Sequence, residues 1–321
     1  MPKFTNYAQT PAIKMLYLGH SGAGKTGSLV SLAAAGYRVR IVDLDGKAGI
    51  IRDFVTNPKS IYLRQRPGLW TTEQAAKTAE NISYVTMTEG YNIQGTNAIP
   101  KGDSWFKVNK MLNDWRDEDD KPGNIGKWGP DDVLVIDSFS RYCEAAMNYQ
   151  LSLTGHLTSG PQVGSIGNND YSHAYNYIRN QLQLLKSDEV KCNVILICHI
   201  VFMEPPGPQV SANRQARGFP QVFGRANISP QISQFFGHSI RATSIGNHPS
   251  IKRTIYTNND ENVELINPAP FTIKNEYALE TGLAEYFRDY RAGLSSGSGT
   301  SSQPQEANPE ATNVTQLTQR N

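Results

Sequence analysis

The sequence predicts an α/β fold in which a mainly parallel sheet is flanked by helices. An apolar segment at 12–18 leads into a glycine-rich loop and then into a small, apolar segment at 26–35 that suits a helix. Two further apolar runs, at 131–137 and 194–199, each end on a polar side chain. Buried parallel strands have this composition, and their carboxyl ends meet at the edge of the sheet that carries a site. Segments of helical spacing separate the runs, which is typical of a parallel sheet covered by helices.

The glycine-rich loop has the pattern G-x-x-x-x-G-K-T, called the P-loop below. Its residues are Gly19, His20, Ser21, Gly22, Ala23, Gly24, Lys25 and Thr26. The glycines let backbone N–H groups turn toward a polyphosphate at a helix N-terminus, which already favours anions. Lys25 is expected to reach the β- and γ-phosphates, and the Thr26 hydroxyl to hold Mg²⁺. A chance glycine-rich turn is the alternative, but the order strand, loop, helix favours a nucleotide site.

The segment 37–45 predicts a second strand, which ends in the two carboxylates Asp43 and Asp45. Asp43 to Gly46 also matches the D-x-x-G of switch GTPases. We reject that interpretation because no N-K-x-D or T-K-x-D base-reading motif follows.

The long mixed stretch at 47–130 predicts an insert. Its composition predicts helices at 72–80 and 104–115 and a strand at 81–87 between them. The aromatic residues of the second helix are expected in the core.

The run at 131–137 closes on Asp137, which is the Walker B form of a strand. Downstream of a P-loop, such a strand delivers its carboxylate beside the Mg²⁺ of that loop. A helix is expected over 139–153, a flexible glycine-rich loop over 154–170, and another helix over 171–186.

The run at 194–199 ends on His199, and a long loop is expected at 203–227. A helix over 228–242 and a strand over 251–257 should follow it. Arginines interleaved with aromatic residues suit phosphate contact and base stacking, and an ordinary surface loop is the alternative. The loop has three arginines, two phenylalanines and one acid, which are Arg214, Arg217 and Arg225, Phe219 and Phe223, and Glu204.

Composition bounds the partners and the compartment. The net charge of +2 means that any nucleic-acid surface must be local. The N-terminus shows no apolar signal region, and no run is long enough to span a bilayer. Because the cysteines Cys143, Cys192 and Cys198 are odd in number and no export signal accompanies them, reduced thiols in a cytoplasm are expected.

Two parts are expected along the chain. Residues 1–292 form one core with the insert near 47–130, and residues 293–321 form a disordered tail. The tail consists largely of Ser, Gly, Gln, Asn, Thr and Pro, which do not bury enough apolar surface to order a chain.

The order of these motifs resembles that of RecA-like P-loop ATPases, especially the small phage members that act as single-strand-annealing recombinases. The resemblance covers roughly residues 12–260. It rests on GHSGAGKT at 19–26, RIVDLDG at 40–46, VLVIDS at 133–138 and VILICH at 194–199. It implies an ATPase that uses ATP and Mg²⁺ and acts on single-stranded DNA in phage recombination. It also implies a homo-oligomer, a ring or a filament, in the host cytoplasm if the chain is phage-encoded. The tail is a candidate contact for a single-strand-binding protein.

The resemblance also implies roles for single residues. Asp45 stands where the family has the acid that polarises the attacking water, and Asp43 is the competitor for that role. RecA itself has the longer Glu at that place, and no second acid directly follows Asp137. His199 stands where the family senses the γ-phosphate before a DNA-binding loop. Lys252 and Arg253 are candidates for a cation supplied by a neighbouring subunit, with a solvated strand edge as the alternative.

Two other functions remain open from the sequence. One is a helicase or a helicase-loading motor, although no accessory domain or zinc module is recognisable. The other is a binding protein that keeps ATP as a structural ligand. A small-molecule kinase is disfavoured because no arginine-rich lid lies between the two nucleotide motifs.

Overall fold

A computed structural model describes residues 11–56, 71–94, 97–117, 120–157, 167–203, 216–222, 229–247, 250–260 and 262–296. Among these residues, no helix combines the length and the apolarity that crossing a bilayer requires.

The framework is an eight-stranded sheet with two small hairpins outside it. The strands are β1 Lys14–Gly19, β2 Arg38–Asp43, β3 Ile82–Thr86, β4 Tyr91–Gln94, β5 Asn97–Pro100, β6 Asp132–Asp137, β7 Asn193–Cys198, β8 Ile200–Met203, β9 Arg217–Pro220, β10 His238–Ile245, β11 Lys252–Tyr256 and β12 Glu276–Ala278. Within the sheet the order is β12-β11-β10-β1-β7-β6-β2-β3, and β4–β5 and β8–β9 are the hairpins. All neighbours from β10 to β3 pair in parallel, whereas β11 is antiparallel to both β10 and β12. The predicted class, a mainly parallel sheet flanked by helices, is confirmed.

Helices cover both faces of the sheet. They are α1 Lys25–Ser28, α2 Val30–Ala34, α3 Gly49–Thr56, α4 Thr72–Glu80, α5 Ser104–Asn113, α6 Phe139–Thr154, α7 Asn168–Lys186, α8 Ser229–Ile232 and α9 Leu279–Ser296. Because strand side chains alternate, Met15 and Tyr17 of β1 join a core with α2 and α9. Leu16 and Leu18 join the opposite core, which α6 and α7 complete. This burial on both faces explains why the strand sequences are continuously apolar.

The segment after β9 differs from the expected helix over 228–242. Only Ser229–Ile232 and a 3₁₀ turn at Ser233–Phe235 are helical, and the strand β10 begins at His238. This strand pairs in parallel with β1, so its polar residues lie in the interior of the sheet. His238 is buried and shares a 2.8 Å hydrogen bond with the hydroxyl of Tyr286. The partner lies 48 residues away along the chain, so the sequence around His238 does not show that this polar side chain can be buried in a strand.

The expected loop over 154–170 and the expected tail from 293 also have different boundaries in the structure. The helix α7 already begins at Asn168, because the Asp170 carboxylate accepts the N–H of Gly167 at its first turn. Residues 158–166 of the expected loop lie outside the described residues. The helix α9 continues to Ser296, past the expected start of the tail at Gly293, and 297–321 lie outside the described residues.

The insert near 47–130 is partly built into the sheet. Its strand β3 extends the sheet beyond β2, and α5 packs Trp105 against Tyr142 of α6, with ring centroids 4.4 Å apart. The expected core position of the α5 aromatics is correct for Trp105, whereas Phe106 is exposed.

Candidate functional site

The P-loop joins the end of β1 to the start of α1. Gly22 and Gly24 have φ values of 79° and 90°, a left-handed conformation that glycine adopts without strain. The Lys25 side chain is buried, and its ammonium donates to the backbone oxygens of Gly19 (2.7 Å) and His20 (2.8 Å). Burial lowers the pKa of Lys25 to about 8, while the charge of Asp137 opposes that shift. The loop therefore keeps its cation folded back over its own backbone.

Thr26 and Asp137 meet at the carboxyl end of the sheet. The hydroxyl of Thr26 donates to Oδ2 of Asp137 over 2.5 Å. Burial raises the pKa of Asp137 to about 6, although the hydrogen bond from Thr26 acts in the opposite direction.

These two residues fit a magnesium ion that arrives with a nucleotide. Within the described part of the chain, no group of three or more His, Cys, Asp or Glu side chains is placed to hold a metal. Mg²⁺ does not need such a cage, since it keeps several waters and binds through one or two protein oxygens plus substrate phosphates. One hydroxyl and one carboxylate, side by side next to a P-loop, meet that requirement.

The two carboxylates at the end of β2 have different surroundings. Asp43 is buried and accepts the backbone N–H groups of Lys47 (3.2 Å) and Ala48 (2.8 Å), so it holds the turn after the strand. Asp45 instead lies in the cavity at the P-loop and accepts a 3.2 Å hydrogen bond from the Ser138 hydroxyl. Of the two, Asp45 has the position from which a carboxylate can face a bound nucleotide.

Asp45 is surrounded by donors and cations. Its Oδ2 atom lies 3.6 Å from Nε2 of His199, and its Oδ1 atom lies 3.6 Å from Nε of Arg141. The imidazole of His199 holds the pKa of Asp45 below its ordinary value, against the effect of burial. Arg141 was not identified from the sequence. The available signal was its position in the first turn of α6, the helix that begins directly after Asp137 and Ser138.

One cavity of about 300 Å³ brings the nucleotide motifs together. It is lined by Lys25, Thr26, Asp45, Asp137 and His199, and by P-loop backbone. The start of α9 forms part of its wall, which sequence reasoning did not foresee.

A second cavity of about 390 Å³ shares Asp45 and His199 and extends toward Arg141 and Glu144.

The expected DNA loop is only partly described. Arg217 is the first residue of β9 and is exposed, while Arg214, Arg225 and Phe223 lie outside the described residues. The expectation of one long loop over 203–227 is wrong at Arg217–Pro220, which pairs with β8 as a hairpin. The strand forms because Gly218 leaves room for the side chains of Ile200 and Val263, which a β-carbon there would meet at 2.7 and 2.9 Å.

The β8–β9 hairpin touches the P-loop through Phe202. Its ring stacks on His20, with centroids 5.8 Å apart and an interplanar angle of 22°. The guanidinium of Arg241 lies 5.9 Å from the centroid of the same ring. His199, one residue before β8, and His20 thus connect the nucleotide cavity to the hairpin from two sides.

The two candidate cations of β11 differ in position. Lys252 is exposed, whereas Arg253 lines the P-loop cavity of its own chain.

No protein-family model matches the chain, and no curated protein matches it. Among solved structures, it is similar to a KaiC-like protein from the hyperthermophilic archaeon Pyrococcus horikoshii. That match has 13% identity over 76% of this chain and 77% of that chain, with a TM-score of 0.36. It is also similar to the RadB recombinase, with 12% identity, 77% and 80% coverage and a TM-score of 0.37. A third similar structure is the flagellar accessory protein FlaH from Methanocaldococcus jannaschii, with 11% identity, 82% and 83% coverage and a TM-score of 0.35. The assignment of the fold class rests on the sheet order of this chain itself.

Proposed function

We propose that this chain binds and hydrolyses ATP in a RecA-like manner and acts on single-stranded DNA in phage recombination, by annealing or strand exchange. The observation that carries the ATPase part is the single cavity shared by Lys25, Thr26, Asp45, Asp137 and His199. A P-loop lysine, a hydroxyl–carboxylate pair and a separate carboxylate are the groups that phosphoryl transfer to water requires.

Each of these side chains has a task that its position allows. The ammonium of Lys25 leaves its backbone partners and binds the β- and γ-phosphates, where its charge stabilises the transition state. Thr26 and Asp137 hold the Mg²⁺ that neutralises charge on the phosphates. Asp45, a carboxylate whose pKa His199 holds below its ordinary value, accepts a hydrogen bond from the attacking water and orients it.

The DNA part of the proposal rests on the β8–β9 hairpin. His199 reports the γ-phosphate, and the hairpin begins at the next residue. The stacking of His20 on Phe202 provides a second contact through which the P-loop and the hairpin influence each other. Arg217, with Arg214 and Arg225, supplies positive charge for the phosphates of a single strand.

The remaining elements of the proposal follow from the recombinase role. The active form is a homo-oligomer, a ring or a filament, in the host cytoplasm. The core extends through α9, and the polar tail that follows recruits a single-strand-binding protein.

ATP hydrolysis by the purified protein, with and without single-stranded DNA, tests the proposal. We expect turnover that depends on Mg²⁺ and rises when single-stranded DNA is added. Turnover that DNA does not change would refute the DNA part, and processive unwinding of a duplex would favour a helicase instead. Tight ATP binding without turnover would indicate that ATP is a structural ligand and not a substrate.

A further inference from the structure

The topology of the sheet brings Arg253 to the P-loop of the same chain. The carboxyl ends of the parallel strands carry the nucleotide motifs. Because β11 runs antiparallel to β10, its first residues lie at that same edge, with Arg253 opposite Ser244 near the end of β10. Arg253 therefore lines the cavity that Lys25 and Asp137 share.

The side chain of Arg253 crosses directly over the P-loop. A β-carbon built on Gly24 would lie 3.2 Å from Cδ and 3.6 Å from Nε of Arg253, and would also meet Leu279. The glycine is thus required for the close approach of this arginine as well as for its φ of 90°.

Part of the guanidinium group lacks a partner. The Nε atom of Arg253 is buried and has no hydrogen-bond partner among the described residues. A buried donor on a charged group costs free energy unless it is paired, so its position beside a phosphate-binding loop points to an anionic ligand. The paired arginines of this chain, such as Arg40 with Asp120 and Asp132, show the contrast.

We propose that Arg253 binds the α- and β-phosphates of a nucleotide held by the P-loop of its own chain. This inference rests on the proposed nucleotide site and replaces the expectation that the β11 cations serve a neighbouring subunit. The phosphates concerned follow from position: the P-loop backbone cradles the α- and β-phosphates, and Arg253 crosses that backbone at Gly24. The γ-phosphate is left to Lys25 and His199, and the attacking water to Asp45.

A clamp on the α- and β-phosphates acts equally on ATP and ADP. Hydrogen bonds from a charged group contribute about 1.5–3 kcal/mol, so Arg253→Ala should weaken both nucleotides about tenfold or more. Because the lost contacts are common to both nucleotides, the ratio of the two dissociation constants should stay as it is in wild type.

The test measures the dissociation constants of ATP and ADP for the full chain and for three variants. Arg253→Ala should weaken both nucleotides by the same factor, and Arg253→Lys, which keeps the charge without the planar fork, should recover part of the affinity. Lys252→Ala is the matched control, since the neighbouring side chain is exposed, and it should bind as wild type does. Thermal unfolding of each variant shows whether the fold is intact.

Two results would overturn the inference. One is an Arg253→Ala protein that binds ADP as tightly as wild type. The other is recovery of affinity when Arg253→Ala and Lys25→Ala chains are mixed, because an intact arginine would then be acting from a neighbouring subunit. If wild type itself binds no nucleotide, it is the proposed function that fails.

Discussion

Replacing Asp45 with asparagine should separate nucleotide binding from turnover. The substitution keeps the shape of the side chain and removes the charge that faces His199 and Arg141 at 3.6 Å. A positioned acid or base contributes about 10²–10⁴-fold to a rate, which corresponds to about 3–5 kcal/mol of transition-state stabilisation. Asp45 is not part of the P-loop, whose backbone is proposed to hold the phosphates, so we expect the dissociation constant of ATP to stay within about threefold. Single-turnover hydrolysis and equilibrium ATP binding, measured on the same preparation, give the two quantities.

Asp43→Asn is the matched control for this substitution. Asp43 accepts two backbone N–H groups with one carboxylate, and an asparagine reproduces only one acceptor. We expect a loss of stability of about 1–3 kcal/mol with turnover per folded molecule retained. If Asp45→Asn hydrolyses ATP normally and folded Asp43→Asn does not, the assignment of the water-orienting carboxylate is wrong.

Three further predictions concern the fold and the hairpin. Arg40→Met should cost about 3 kcal/mol in urea unfolding because it leaves the buried Asp132 short of a partner, and a change below 1 kcal/mol would contradict the importance of that pair. Burial lowers the pKa of His238 to about 4 from 6.5, so its contribution to stability is complete above pH 6.5 and is lost as the pH falls toward 4. Between pH 7 and pH 5 this loss is about 2 kcal/mol, and His238→Gln should flatten the pH profile; an unchanged profile would refute the assignment. Replacing Arg214 and Arg217 with alanine should weaken single-stranded DNA binding and reduce its dependence on salt, whereas DNA-independent hydrolysis should be unchanged. Parallel salt titrations of equal affinity would show that this hairpin does not touch DNA.

The four central parallel strands β1, β7, β6 and β2 were predictable because they are buried on both faces. The predicted strands around Asp137 and His199, and the helices at 72–80 and 139–153, agree closely with β6, β7, α4 and α6. Their signals are local: continuous apolar runs, helical spacing and a glycine-rich loop.

At the other end of the sheet, the expected strand over 251–257 agrees with β11, but β10 was not predictable in the same way. The strand β10 contains His238 and Arg241, whose partners Tyr286 and Asp260 lie far along the chain. The spacing of Leu283, Tyr286, Phe287 and Tyr290 does carry a helical signal, which was overlooked.

The candidate nucleotide site was also only partly predictable from the sequence. The P-loop, Asp45 and Asp137 can be recognised from the spacing of residues in the sequence. Arg253 and Leu279 lie beside Gly24 because β11 pairs antiparallel with both β10 and β12. No short sequence motif encodes this pairing.

We propose above all that residues 19–26 hold a nucleotide through Lys25. Calorimetric titration of wild type and Lys25→Ala with ATP in the presence of Mg²⁺ tests it most directly, with thermal unfolding to confirm that both are folded. We expect saturable binding to wild type and a loss of about tenfold or more in affinity for the variant, since Lys25 is the charged side chain within the loop itself. Equal affinity in two well-folded proteins would contradict the account.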